Sequence, residues 1–102
     1  MDGYDLDGVI TTGRYIPKKG DVIITGRCYQ EARETYLQLH GMGVYNCVYF
    51  QPCDFFDKTL ESSGHWKLKM CKELGIDTFY EDNDIQATIL EKGDINVIRV
   101  NG

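Results

Sequence analysis

Asp5-Leu6-Asp7-Gly8, Thr25-Gly26-Arg27 and Glu81-Asp82-Asn83-Asp84 are three polar clusters, and each follows a short stretch that reads as a strand. Carboxylates brought together from separate strands repel and raise one another's pKa unless a cation lies between them. Hard oxygen donors, few in number and with no histidine beside them, suit magnesium, which takes one or two carboxylates and fills its octahedron with water and phosphate oxygens. Calcium would want more protein oxygens. Asp5 and Asp7 are two apart, so at a strand end they can flank one substrate atom from two sides. Thr25, with helix N-terminal amides beyond it, can donate to an anionic phosphoryl oxygen. Arg27 either adds a charge-assisted contact to that anion or stands solvated.

The elements that would position these clusters alternate along the chain. Val22, Ile23 and Ile24 form a continuous apolar run, and Tyr29, Ala32, Tyr36 and Leu39 then recur at spacings of three and four, the stripe of an amphipathic helix. Gly41 and Gly43 bracket its end. Residues 44–50, rich in Val and Tyr, predict a strong strand, and residues 51–62 a polar loop. Ser63 is the expected N-cap of a helix that carries Trp66, Met70, Cys71 and Leu74 on one face and stops at Gly75. A strand over 78–81, a helix over 85–92 with Asp84 as its N-cap, and a last strand over 95–100 complete the pattern. The opening strand, residues 1–6, is weakened by Asp2 and Gly3. This alternation predicts an α/β fold: a three-layer, Rossmann-like open sheet of about five mainly parallel strands with helices on both faces. Residues 1–102 form one domain in this reading. Ligands of such sheets bind beyond the carboxyl ends of the strands, which is where all three clusters fall.

Composition narrows the partners. Eleven Lys plus Arg against sixteen Asp plus Glu give a net charge of -5, which argues against a basic nucleic-acid clamp. The sequence has no apolar run of membrane-spanning length, and Asp2 and Asp5 interrupt the place of a secretory leader, so a cytoplasmic protein is expected. Cys28, Cys47, Cys53 and Cys71 include no C-x-x-C pair and read as reduced thiols rather than a zinc site. His40 and His65 have no ligand-like spacing and are expected at the surface, although His65 is close to Lys67 in sequence. Trp66 is expected to pack, whereas Tyr15, Phe55 and Phe56 either pack or meet a substrate or a second subunit.

Asp5-Leu6-Asp7-Gly8-Val9-Ile10 resembles the first motif of the haloacid dehalogenase superfamily of phosphatases. Ile23-Ile24-Thr25-Gly26-Arg27 resembles its second motif, the helix from His65 through Lys67 and Lys69 to Leu74 its third, and Tyr80-Glu81-Asp82-Asn83 its fourth. The four occur in the family's order and span essentially the whole chain. The resemblance implies a magnesium-dependent phosphomonoester hydrolase in which Asp5 attacks phosphorus and Asp7 serves as general acid and base. It further implies that Thr25 and Gly26 hold a phosphoryl oxygen and that Lys67, preferred to Lys69, neutralises the charge. The implied Mg2+ ligands are Asp5, the carbonyl of Asp7, and Asp82. The chain departs from the family at Gln86, which leaves Glu81 or Asp84 to supply any further carboxylate.

Residues 8–20 have room only for a small hairpin turning at Thr12-Gly13, and residues 51–62 for no more, so no cap domain is expected. A capless site is open to solvent, and either a macromolecular substrate end or a neighbouring subunit would have to close it. Residues 7–15 are similar to the flap of tetrameric sugar-acid phosphatases, which implies a homo-oligomer supplying a lid. The expected partner is therefore a phosphorylated small molecule or macromolecular end, with no membrane. A catalytically silent module of the same fold, a nucleic-acid-end or nucleotide phosphatase, and a phosphotransferase are the alternatives.

Overall fold

The computed structural model describes residues 1–52 and 58–100. Its elements are β1 (Gly3–Tyr4), β2 (Val22–Cys28), α1 (Ala32–Gly41), β3 (Val48–Gln51), α2 (Leu60–Leu74), β4 (Thr78–Glu81), α3 (Asp84–Lys92) and β5 (Asn96–Arg99), with single 3-10 turns at Ile10–Thr12 and Tyr29–Glu31. Cys53, Phe55 and Phe56 lie outside the described residues. The strands form one sheet in the order β3-β2-β1-β4-β5, and every neighbouring pair is parallel. The expected three-layer α/β architecture is thus the one observed. The chain leaves β1 in one direction to β2 and β3 and returns on its other side to β4 and β5, so the crevice lies beyond the ends of β1 and β4.

Strand alternation assigns side chains to two cores. Tyr4, Ile23, Val48 and Phe50 face α1, where Leu39 and Val44 meet them together with Leu6, Val9 and Ile10 of the β1–β2 connection. Val22, Ile24 and Phe79 face the opposite layer, made of Trp66, Met70 and Cys71 on α2 and Leu90 on α3. The expected packing role of Trp66 holds, and Tyr15 packs against Tyr80, with ring centroids 6.0 Å apart. No helix among the described residues is long and apolar enough to cross a membrane.

Several expected boundaries move, each for a local reason. The opening strand shortens to two residues, but its ladder runs further: Val22 N–H donates to Asp2 O (3.0 Å) and Asp5 N–H to Tyr80 O (2.9 Å). Asp21, which the sequence did not single out, fixes this end by accepting from the amides of Asp2 (2.9 Å) and Lys18 (3.0 Å). The third strand starts at Val48, not at residue 44, because Val44 closes α1 by donating to Leu39 O (2.9 Å). In α1 the buried residues are Thr35 and Leu39, so the predicted stripe is rotated and Tyr36 lies outside. The N-cap of α2 is Thr59 and not Ser63: Thr59 Oγ1 accepts from Ser62 N–H (3.0 Å) and Ser62 Oγ from Thr59 N–H (2.8 Å), a reciprocal box hidden inside a polar stretch. Asn83, not Asp84, caps α3 by accepting from Gln86 N–H (3.0 Å). The 8–20 segment forms a 3-10 turn in place of a hairpin, ended by Gly13 at φ 76°. Val9 and Ile10 are fully buried and anchor the middle of the 7–15 segment in the core, while Asp7, Gly13 and Arg14 are exposed.

Burial divides the cysteines. Cys71 is enclosed between α2 and the sheet, and burial pushes its thiol up to about 12, while Cys47 is exposed. Since thiolate is the reactive form, iodoacetamide at pH 8 is expected to alkylate Cys47 in the native protein and to spare Cys71 until the chain is unfolded. Peptide mass mapping reads the difference; early alkylation of Cys71 would contradict this packing.

Candidate functional site

The ends of β1, β2 and β4 and the first turns of α2 and α3 enclose a pocket of about 270 Å³. Asp5 and Asp7 enter it from β1, Thr25, Gly26 and Arg27 from β2, Lys67 from α2, Glu81 and Asp82 from β4, and Gln86 from α3. Residues from four separate parts of the chain thus meet at the predicted rim.

Lys67 lies at its centre. The face of α2 that carries Trp66, Met70 and Cys71 into the core also carries Lys67, four residues before Cys71, where that face reaches the strand ends. Its ammonium donates to Asp5 Oδ1 (2.9 Å), Glu81 Oε1 (2.7 Å) and Gln86 Oε1 (2.5 Å), so all three ammonium protons are matched by acceptors. Burial works against its charge, but Asp5 and Glu81 outweigh that and raise its pKa, holding it as a cation. Lys69, the other candidate, points to solvent and pairs with Glu73 one turn along the helix.

Glu81 is fully buried and braces two elements at once, because its second oxygen accepts from the amides of Asp82 (3.1 Å) and Asn83 (3.3 Å). Asp5, Glu81 and Asp82 each offer a carboxylate oxygen, and these lie within 4.8 Å of one another. Burial pushes the Asp5 carboxyl well above the usual range despite the opposing pull of Lys67, and Glu81 and Asp82 push it the same way. A divalent cation relieves that repulsion, and an all-oxygen donor set suits a hard one. The backbone is shaped around the cluster as well. Gly8 has φ 82°, and a Cβ there would stand 2.0 Å from Asp82 Oδ2, so only glycine lets the 7–8 turn close over this carboxylate. Asp82 and Glu81 therefore belong to the cluster. Asp84 does not: it leaves the pocket and accepts from Arg99 Nη1 (3.0 Å).

Asp7 stands apart from these three carboxylates, with its side chain 60% exposed. Both of its oxygens are held by Arg27, from Nη2 at 2.6 Å and from Nε at 3.0 Å. The remaining guanidinium nitrogen donates to Thr35 Oγ1 (2.9 Å) and Gln38 Oε1 (3.3 Å) of α1. Arg27 is accordingly not simply solvated, although it still lines the pocket. It fastens Asp7 to α1, a role invisible without knowing that β2 and α1 place Thr35 beneath it.

Thr25 is buried, and its oxygen accepts from Arg27 N–H (3.1 Å), which leaves its proton available. At Gly26 a Cβ would lie 2.7 Å from Ser63 Oγ, so glycine is needed for β2 to approach α2 this closely. Ser63 donates to Gln51 Oε1 (2.8 Å). Gln86, Ser63 and Lys58 line the pocket without having been assigned chemistry from the sequence. Gln86 had a readable signal in its position four residues after Asp82, where its difference from an acid is what lets it accept from Lys67 without adding negative charge. His40 and His65 are exposed, as expected.

No protein-family model, curated protein or solved structure matches the chain.

Proposed function

We propose that the protein is a magnesium-dependent phosphomonoester hydrolase of the haloacid dehalogenase type, working through an aspartyl-phosphate on Asp5. The observation that carries this reading is the buried ammonium of Lys67 held between Asp5 and Glu81, beside Asp82, at a rim that also presents Thr25. A nucleophilic carboxylate that must approach an anionic phosphoryl group needs fixed positive charge beside it, and Lys67 supplies that charge without solvent exposure. Asp5, Asp82 and the 7–8 backbone would hold Mg2+, which when bound neutralises phosphoryl charge and polarises the phosphorus–oxygen bonds.

The chain's own groups then account for two displacements. An Asp5 carboxylate oxygen forms a bond to phosphorus as the ester P–O bond breaks, and Asp7, after taking a proton from solvent on an oxygen released from Arg27, gives that proton to the departing oxygen. A water molecule next loses a proton to Asp7 and bonds to phosphorus, the P–O bond to Asp5 breaks, and inorganic phosphate leaves. Thr25 donates to a phosphoryl oxygen throughout, and Arg27 is the residue that sets where Asp7 stands.

Purified protein with magnesium is expected to release phosphate from an aryl phosphate, and EDTA to suppress it. Absence of turnover over a broad phosphate-ester panel with magnesium present would favour a silent binding module instead. The Asp7 assignment has its own signature. An alkyl leaving group needs protonation more than a phenolate does, so Asp7→Asn is expected to lower kcat on an alkyl phosphate at least about a hundredfold, and on a nitrophenyl phosphate by much less. Arg27→Met should move the two substrates in the same unequal way but less far, about tenfold on the alkyl ester, because it disorders Asp7 without removing it. Equal losses on both substrates would remove Asp7 from proton transfer.

A further inference from the structure

We propose that the phosphate this pocket takes is the terminal phosphate of a single-stranded nucleic acid, whose bases stack along a row of rings on the outer flank of α1; this rests on the phosphatase reading for the pocket itself. The rings touch in series: Tyr29 meets Phe50 (ring centroids 6.1 Å apart), Phe50 meets Tyr36 (5.7 Å), Tyr36 meets His40 (6.0 Å) and His40 meets Tyr45 (4.9 Å), with the buried Phe50 bridging the outer rings from beneath. The row starts at the pocket, because Tyr29 follows Arg27 by two residues, and Lys58 of the pocket wall lies 3.8 Å from Glu31 in the turn that Tyr29 begins. Phe50 is buried beneath the others and offers no face to a base; the exposed rings are Tyr29 (60%), Tyr36, His40 and Tyr45 (74%).

Charge along the row suits a polyanion better than the net charge suggests. On α1, Arg33, Tyr36 and His40 follow one another at spacings of three and four, so a cation shares one side of the helix with two rings, and Tyr29 lies in the turn just before it. At the far end Lys19 and Tyr45 line a common hollow. The acidic residues of the stretch from Tyr29 to Tyr45 are Glu31, which lies 3.8 Å from Lys58, and Glu34. Every base has a π-face, so exposed rings bind unpaired bases with little regard to sequence, and each stacked base strengthens binding by roughly fivefold or more. A small sugar phosphate would touch none of these rings. Duplex bases are already stacked and unavailable to them.

The test measures fluorescence anisotropy of labelled, unphosphorylated hexathymidylate with the whole chain, and hydrolysis of the same oligomer carrying a terminal phosphate alongside nitrophenyl phosphate. The wild-type protein is expected to bind the single strand more tightly than the corresponding duplex. Tyr29→Ala and Tyr45→Ala are each expected to weaken binding at least about fivefold and to lower the preference for phosphorylated oligomer over nitrophenyl phosphate by a similar factor. Both residues are exposed, and unchanged melting curves would show that the variants fold. Hydrolysis of nitrophenyl phosphate with no binding of the oligomer overturns this inference and leaves the phosphatase reading standing. Ring-dependent binding of the oligomer without hydrolysis of either ester supports the row and overturns the phosphatase reading. Oligomer binding that is indifferent to both tyrosines also sinks the proposal.

Discussion

Asp5→Asn is expected to lower magnesium-dependent phosphate release by at least about a thousandfold while leaving the melting temperature within a few degrees of wild type. An amide has the size of the carboxylate it replaces and keeps an oxygen for Lys67 Nζ, now 2.9 Å from Asp5 Oδ1. Its oxygen is a poor nucleophile, so no acyl phosphate forms. Stability is spared because Lys67 keeps Glu81 as its ionic partner, 2.7 Å away. Phosphate release and a thermal melt on the same preparation decide it. Retained turnover would move the nucleophile elsewhere, and a collapsed melt would leave Asp5 as a structural residue.

Lys67→Met is expected to be among the most damaging single substitutions in the protein. It leaves Asp5 and Glu81, whose side chains are 9% and 0% exposed, without their shared cation. Breaking a buried pair in this way costs about 3–5 kcal/mol. For a domain of this size each kcal/mol moves the melting point by roughly 4–8 °C, so a loss of 12 °C or more is expected, a large part of the roughly 5–15 kcal/mol that holds a domain folded. Lys69→Met removes a solvent-exposed pair with Glu73 and the approach of the ammonium to the Trp66 ring (6.0 Å), and should shift stability by about 1 kcal/mol or less. Parallel denaturant melts of the two variants compare like with like. Equal and small effects would contradict the ammonium-centred site. Because activity falls with folding in Lys67→Met, magnesium-dependent stabilisation of folded Lys67→Gln, which keeps two donors in place of three and no charge, offers a second measure.

Apolar periodicity made the layers legible: Val22 to Ile24, the stripe from Trp66 to Leu74 and the runs about Phe79 and Val97 each appear where that patterning puts them. Boundaries were less legible where a polar residue acts on the backbone. Thr59 and Asn83 cap their helices through single side-chain bonds that leave no mark on hydrophobic spacing. In the candidate site, Asp5, Thr25, Lys67 and Asp82 were readable because each follows a strand or lies on a helix face at the rim. What Arg27 does was not, since its partners Asp7, Thr35 and Gln38 are brought together only by the β2–α1 crossover. The separation of Glu81 from Asp84 likewise depends on Arg99, an ordinary strand residue in sequence that draws Asp84 away from the pocket.

The position of β1 has a kinetic consequence. This two-residue strand pairs Gly3 with Val22 on one side and with Phe79 on the other, so its second neighbour follows only after β2, α1, β3 and α2. Closing so long a loop before its contacts form slows folding, and a sheet made only of parallel pairs offers no hairpin shortcut. Asp5 directly follows that strand and meets Glu81 and Lys67 at the same closure. In refolding from denaturant, therefore, helical signal should return ahead of any competence of the site, and partly folded chains should be inert rather than weakly active.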